Sequence, residues 1–73
     1  MYQFDYSKLT GRIVEVLGDK KTLAEKMGIS YMTMMNRMHN RRPFDQQEII
    51  EVSKILGISH SEIPDYFFTI KVS

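Results

Sequence analysis

The sequence contains no cysteine and no tryptophan, and only two histidines among its 73 residues. Without cysteine the chain can form no disulfide, which suits a reducing cytoplasm. Neither histidine stands in a spacing typical of a zinc site, so we expect no metal, no cofactor and no small-molecule ligand. No apolar run approaches the roughly 18 residues of a membrane-spanning helix, and the N-terminus lacks the pattern of a signal peptide. We therefore expect a cytoplasmic protein that does not associate with membranes.

Glycine is also scarce, and the four glycines, at positions 11, 18, 28 and 57, are too scattered to form a phosphate-binding loop. No serine stands in the pattern of a nucleophile elbow. The sequence therefore gives no indication of an enzyme, and we expect no catalytic residues. A hydrophobic fraction of 42% with charges of both signs is typical of a globular chain, and this length predicts one domain, residues 1–73.

Charge is unevenly distributed along the chain, although the net charge is only +1. Residues 1–42 contain eight Lys or Arg against four Asp or Glu, a net charge of +4. Residues 43–73 contain two against five, a net charge of −3. Such polarity can steer an anionic partner to one face of a protein. The distribution is explained about as well if these charged residues are simply exposed to solvent and bind no partner.

Apolar residues recur at helical spacing in five stretches of the chain. The predicted helices are SKLTGRIVEVLG, DKKTLAEKMG, SYMTMMNRMHN, DQQEIIEVSKILG and SHSEI. The first four begin with residues that can cap a helix N-terminus, Ser7, Asp19, Ser30 and Asp45. Glu48, three residues after Asp45, completes a capping-box pattern. The fifth helix is expected to be capped by Ser59 or Ser61 and disrupted near Pro64.

The two ends of the chain show a different pattern. In YQFDY, aromatic residues alternate with Gln3 and Asp5, and in FFTIKV, Phe68, Ile70 and Val72 alternate with Phe67, Thr69 and Lys71. Such a period of two is typical of short strands. The ends can pair with each other, or one of them can pair with another chain. The pattern leaves both arrangements open.

The connection between the second and third helices predicts a helix-turn-helix over about residues 20–40. Gly28 supplies a position of positive φ, Ile29 can insert between the two helices, and Ser30 caps the third. Ala24 has a side chain small enough for the helices to approach closely. A short glycine-containing turn between two helices is the arrangement found in DNA-binding helix-turn-helix proteins.

The stretch TLAEKMGISYMTMMNRMHNRRPF resembles the helix-turn-helix of the phage Cro/repressor (XRE-like) family. Over roughly residues 4–68 the chain is similar to small phage repressor-like proteins of Gram-positive hosts. The resemblance implies an all-α, compact five-helix domain whose third helix enters the major groove of a double-stranded DNA operator. It also implies transcriptional regulation as a homodimer. Many relatives carry an aliphatic residue at Arg37 and Asn-Gly at His39-Asn40; Asn40 still suits a left-handed C-cap.

The third helix is expected to have one buried and one displayed face. Met34 and Met38 share the face predicted to lie in the core, as does Met27 of the second helix. The candidate base-contacting residues are Tyr31, Met32, Thr33 and Asn36. Asparagine can bond adenine, and apolar side chains contact the thymine methyl. The candidate phosphate-contacting residues are Lys20, Lys21, Ser30, Arg37, Arg41 and Arg42, which lie at helix N-termini, extend from the third helix, or follow it.

Two questions stay open at the level of sequence. The alternative to DNA binding is a protein-interaction module on the same fold, an antirepressor or an antitoxin-like partner, with the methionine-rich third helix as an adaptable surface. A homodimer could form through YFFTIKVS or through the stripe around Ile58, Ile63 and Phe67. Alternatively, YFFTIKV folds back onto YQFDY and closes the core of the monomer.

Overall fold

Five α-helices surround one core in the computed structural model, which describes residues 2–72. They are α1 (Ser7–Leu17), α2 (Lys20–Met27), α3 (Tyr31–Met38), α4 (Gln46–Leu56) and α5 (Ile63–Phe67), with a 3-10 turn (His60–Glu62) directly before α5. The all-α, five-helix fold predicted from the sequence is confirmed. None of these helices is long and apolar enough to cross a membrane. Met1 and Ser73, which belong to the predicted domain and to the segment YFFTIKVS, lie outside the described residues.

Side-chain caps fix where α2, α3 and α4 begin. The side chains of Asp19 and Ser30 each accept a hydrogen bond from the backbone amide three residues on, at 2.8 and 3.0 Å. Asp45 and Glu48 form the predicted capping box at the start of α4. These bonds satisfy amides that have no partner within the helix itself, so the three predicted start points are confirmed.

Two other predicted boundaries are wrong. Ser7 is the first residue of α1, not its cap, and its amide donates to Oδ1 of Asp5 at 2.8 Å. Pro64 lies in the first turn of α5 and does not disrupt it. The reason is that proline lacks only an amide that would have no helical partner at that position. The stretch SHSEI accordingly contains the 3-10 turn, and the fifth α-helix follows it.

The core contains side chains from all five α-helices. Its fully buried large side chains are Leu9, Ile13, Leu23, Met34, Val52, Leu56 and Phe67. Met34 and Met38 are 0% and 6% exposed, which confirms the predicted inner face of α3. Met27 is half-buried against this core. Val16, although it fits the apolar spacing of the first helix, is exposed.

A row of aromatic rings connects the N-terminal segment, the loop after α3 and the end of α5. The ring of Phe44 packs edge-to-face on Tyr6 and on Phe67, with centroid separations of 5.4 and 5.3 Å. Phe67 and Ile58 are 2% and 6% exposed and belong to the core. The predicted dimer surface around Ile58, Ile63 and Phe67 is therefore wrong, because two of its three side chains are not on the surface.

The ends of the chain lie side by side as an antiparallel pair. Phe4 and Ile70 form a single β-bridge. The amides of Asp5 and Lys71 donate across it to carbonyl oxygens of the opposite segment, at 2.7 and 2.8 Å. The two segments, residues 2–5 and 69–72, form the terminal ribbon. Of the two arrangements that the sequence allows, pairing within the chain is the one observed.

Asn40 attaches the terminal ribbon to the end of α3. Its φ of 62° is the left-handed conformation predicted for it, which asparagine tolerates better than most residues. Its side-chain amide contacts both backbone groups of Phe4. Oδ1 accepts from the Phe4 amide at 2.7 Å, and Nδ2 donates to the Phe4 carbonyl at 2.9 Å. Asn40 therefore pairs with Phe4 as a neighbouring strand would.

Two substitutions separate the backbone and side-chain contributions of Asn40. Asn40→Gly retains the left-handed conformation but removes both hydrogen bonds. We expect it to lower the free energy of unfolding by about 1–3 kcal/mol, from roughly 0.5–1.5 kcal/mol per bond. Asn40→Ala should lose about 1 kcal/mol more, because its Cβ disfavours positive φ. Urea denaturation measures both values, and equal stability of Asn40→Gly and the unsubstituted protein would contradict the assignment.

Candidate binding surface around the third helix

The turn between α2 and α3 has the local geometry that the sequence predicts. Gly28 ends α2 with a φ of 71°, Ile29 is half-buried against the core, and Ser30 caps α3. Ala24 is only 1% exposed, which agrees with a close approach of the helices. Because α2 packs against α1, α3 and α4, the position of α3 is fixed and its outer face is presented on a rigid support.

The outer face of α3 is largely apolar. Tyr31 and Met32 are 52% and 66% exposed, and Val14 of α1 is 56% exposed. Tyr31 and Val14 line the same open groove, of about 600 Å³. We refer to Val14, Tyr31 and Met32 as the α3 patch. Sequence reasoning identified the two α3 residues but missed Val14. The available signal was that Val14 lies off the apolar stripe of its own helix and so has no place in the core.

The other two candidate base-contacting residues already form hydrogen bonds within the chain. The hydroxyl of Thr33 accepts from Ser30 Oγ at 2.9 Å. Oδ1 of Asn36 accepts from a guanidinium nitrogen of Arg41 at 3.4 Å. Both side chains are half-buried. The polar side chains that would contact base edges are thus partly engaged in hydrogen bonds within the chain. The apolar side chains of the same face, Tyr31 and Met32, are exposed to solvent.

Arg37 is directed toward α4. Its Nε and Nη2 donate to the two carboxylate oxygens of Glu48 at 2.9 and 3.1 Å, and the two side chains are only 18% and 14% exposed. Donation to Glu48 raises the pKa of Arg37 above its usual value. Oε1 of Glu48 also accepts from the Asp45 amide in the capping box. In this geometry Arg37 joins α3 to α4 through an ion pair. The phosphate contact predicted for it stays a prediction, and this geometry does not favour it.

Four other predicted phosphate-contacting side chains lie near the two ends of α3 and form no ion pair. Lys20 and Lys21 line the groove beside Tyr31, and the exposed Arg41 and Arg42 follow α3. Within residues 2–72 none of the four is within ion-pair distance of a carboxylate. The surface of α3 therefore combines an apolar patch with cationic side chains near both ends of the helix. Such a surface suits a partner that carries apolar groups together with negative charge.

Two further features of the surface limit what it can bind. The Ser30 hydroxyl is engaged with Thr33, so its predicted phosphate contact would have to use the backbone at the start of α3. Asp19 contributes a negative charge to the same groove, since the Thr22 hydroxyl and amide donate to it and hold the pKa of its carboxyl below its usual value. No group of acidic or histidine side chains in the described part of the chain could hold a metal ion.

The role of Arg37 can be tested by comparing it with a neighbouring arginine. Arg37→Ala removes two charge-assisted bonds from a mostly buried carboxylate, and we expect a loss of about 1.5–3 kcal/mol in the free energy of unfolding. Arg42→Ala changes an exposed side chain and should stay within about 0.5 kcal/mol. Thermal and urea denaturation measure both. Unchanged stability of Arg37→Ala together with weaker DNA binding would instead assign Arg37 to phosphate.

Comparison with known proteins places these features in a phage context. The solved structure of the modulator of repression (MOR) of the temperate bacteriophage TP901-1 from Lactococcus lactis is similar, with 33% sequence identity and a TM-score of 0.82. The match covers 96% of this chain and 95% of that one. No curated protein matches. The family model described as "Protein of unknown function (DUF739)" matches residues 2–70. The chain therefore belongs to the DUF739 family.

Proposed function

We propose that this chain is a phage regulatory protein that controls a repressor by binding the repressor protein itself. The observation that carries the proposal is the likeness to a modulator of repression over nearly the full length of both chains. Binding of the repressor protein is the most direct way for such a protein to modulate repression. The alternative interpretation of the sequence, a protein-interaction module on this fold, therefore becomes the preferred one.

The composition of the α3 patch supports a protein partner. Clustered exposed apolar side chains mark interaction sites, and tyrosine and methionine are enriched at the centres of protein interfaces. The groove beside Tyr31 and Val14 offers a concave place for an apolar side chain of the partner. Reading of DNA sequence depends chiefly on hydrogen bonds to base edges, and Oγ1 of Thr33 and Oδ1 of Asn36 each already accept one hydrogen bond within the chain.

The cations near the two ends of α3 support acidic groups at the edges of the partner's surface. Lys20, Lys21, Arg41 and Arg42 have no ion pair in the described residues, so they are free to pair across an interface. Charges at a rim contribute mainly to association rate and orientation, while the apolar centre contributes most of the binding energy. A complementary repressor surface would present apolar side chains surrounded by carboxylates.

A second candidate function is binding of an operator by the same surface, as the resemblance to the Cro/repressor family implies. The unpaired cations favour it, because phosphate contacts supply most of the affinity for DNA. In that arrangement Lys20, Lys21, Arg41 and Arg42 would contact phosphate, Met32 and Asn36 would contact bases, and the protein would bind as a homodimer. Both the operator and the homodimer stay proposals.

Matched substitutions test whether the α3 patch binds the repressor encoded in the same genetic locus. Met32→Glu places a charge in the patch, and we expect it to weaken repressor binding at least tenfold, or about 1.4 kcal/mol. Ile50→Glu makes the same change at an exposed position of α4. Ile50 lies two residues after Glu48, whose side chain pairs with Arg37 of α3, and is therefore about 200° away from it around the helix. Because Ile50 faces away from α3, this control should bind normally. Isothermal titration calorimetry measures both affinities.

Gel shifts with operator DNA from the same locus complete the test. The proposal predicts that the unsubstituted protein binds the repressor more tightly than the operator. Tight operator binding with no binding of the repressor would contradict it. A slope of log affinity against log salt of roughly −0.9 per neutralised phosphate, flattened by Arg41→Ala or Arg42→Ala, would then support the second candidate function.

A further inference from the structure

The two edges of the terminal ribbon differ in how their backbone groups are satisfied. Phe4 and Ile70 form the bridge while the flanking residues make the hydrogen bonds. The amide and carbonyl of each bridge residue therefore point away from the ribbon. At Phe4 both groups are bonded to the Asn40 side chain, at 2.7 and 2.9 Å. At Ile70 neither group has a partner within residues 2–72. One edge is closed and the other is open.

The side chains of the ribbon form an apolar face that extends beyond the core. Residues two apart share a face of a strand, which places Ile70 and Val72 on the face opposite Lys71. The ring of Phe68, which precedes the ribbon, packs edge-to-face on Phe4 of the same face, at a centroid separation of 6.3 Å. On the first strand the exposed fraction increases from 8% at Tyr6 to 73% at Tyr2, and on the second Ile70 and Val72 are 50% and 93% exposed. Phe68 is also half exposed, at 51%. The open edge therefore combines unpaired backbone groups with uncovered apolar side chains.

We propose that residues 69–72 bind an extended segment of the repressor, which adds to the ribbon as a third strand. In strand addition, backbone hydrogen bonds supply affinity and alternate side chains supply specificity. The incoming segment alternates apolar and polar residues, with its apolar side chains continuing the face of Phe68, Ile70 and Val72. This inference rests on the proposed function, because it names the repressor as the source of the strand.

The size of the edge favours a repressor segment over a second copy of this chain. Two copies joined along residues 69–72 would contact each other through those residues alone, whereas a stable interface uses roughly 20–30 residues a side. A repressor bound at the α3 patch brings a larger contact of its own. Thr10 lines both the groove beside Tyr31 and a second open groove that reaches Lys71 of the ribbon. One partner can therefore reach both surfaces.

Amide hydrogen exchange of the full chain, measured by NMR, tests the proposal without any substitution. The Ile70 amide should exchange rapidly in the free protein, because it has no acceptor in the described residues. On addition of the repressor from the same locus its exchange should slow at least tenfold. The Lys71 amide, which already donates across the ribbon at 2.8 Å, serves as the internal reference and should be protected in both states.

A pair of substitutions isolates the backbone donor. Ile70→Pro and Ile70→Ala both remove the isoleucine side chain, but only proline also removes the outward amide. The bonds donated by Asp5 and Lys71 are unaffected by either change, and the thermal midpoint checks that both variants fold. We expect Ile70→Pro to bind the repressor roughly three- to tenfold more weakly than Ile70→Ala, from the usual range for one hydrogen bond.

Each remaining outcome contradicts a definite part of the proposal. Repressor binding that leaves Ile70 exchange unchanged, with equal affinities for the two variants, would overturn strand addition and leave the proposed function standing. No repressor binding at all would overturn both. Concentration-dependent protection of Ile70 without repressor, with a dimer mass by analytical ultracentrifugation, would overturn the proposed occupant and assign the edge to a second copy of the chain.

Discussion

The pairing between Asn40 and the backbone of Phe4 joins the end of the third helix to the terminal ribbon, and the position of the ribbon depends on it. Asn40 ends α3 in a left-handed conformation, and its side chain holds the N-terminal strand at 2.7 and 2.9 Å. That strand in turn holds residues 69–71. One residue thus ends the third helix through its backbone conformation and holds the ends of the chain through its side chain. It also leaves the ribbon with only one open edge.

The third helix is fixed on its inner side and largely apolar on its outer side. Met34 and Met38 lie in the core, and the ion pair between Arg37 and Glu48 joins α3 to the start of α4. The outer side presents Tyr31 and Met32. A fold that resembles a DNA-binding module can therefore display a surface better suited to protein. The distinction lies in which polar side chains are already engaged within the chain, since the fold itself is compatible with either function.

Local chemistry made much of this structure predictable, whereas two contacts between residues distant in sequence were missed. The caps at Asp19 and Ser30 were readable because their signals span three or four residues. The Arg37–Glu48 pair joins residues eleven positions apart, and the Asn40–Phe4 pair joins residues 36 apart, so no local pattern indicates either. The roles of the four candidate base-contacting residues stay predictions, because a helix face alone does not specify its partner.

The central claim is that the α3 patch binds a repressor protein in preference to operator DNA. The most direct test is NMR titration of the ¹⁵N-labelled protein, separately with the repressor and with the operator from the same locus. The account predicts that the repressor perturbs the amide signals of Val14, Tyr31 and Met32 at stoichiometric amounts, while the operator perturbs them only weakly at low salt. Saturable perturbation of the same amides by the operator, with none by the repressor, would contradict the account.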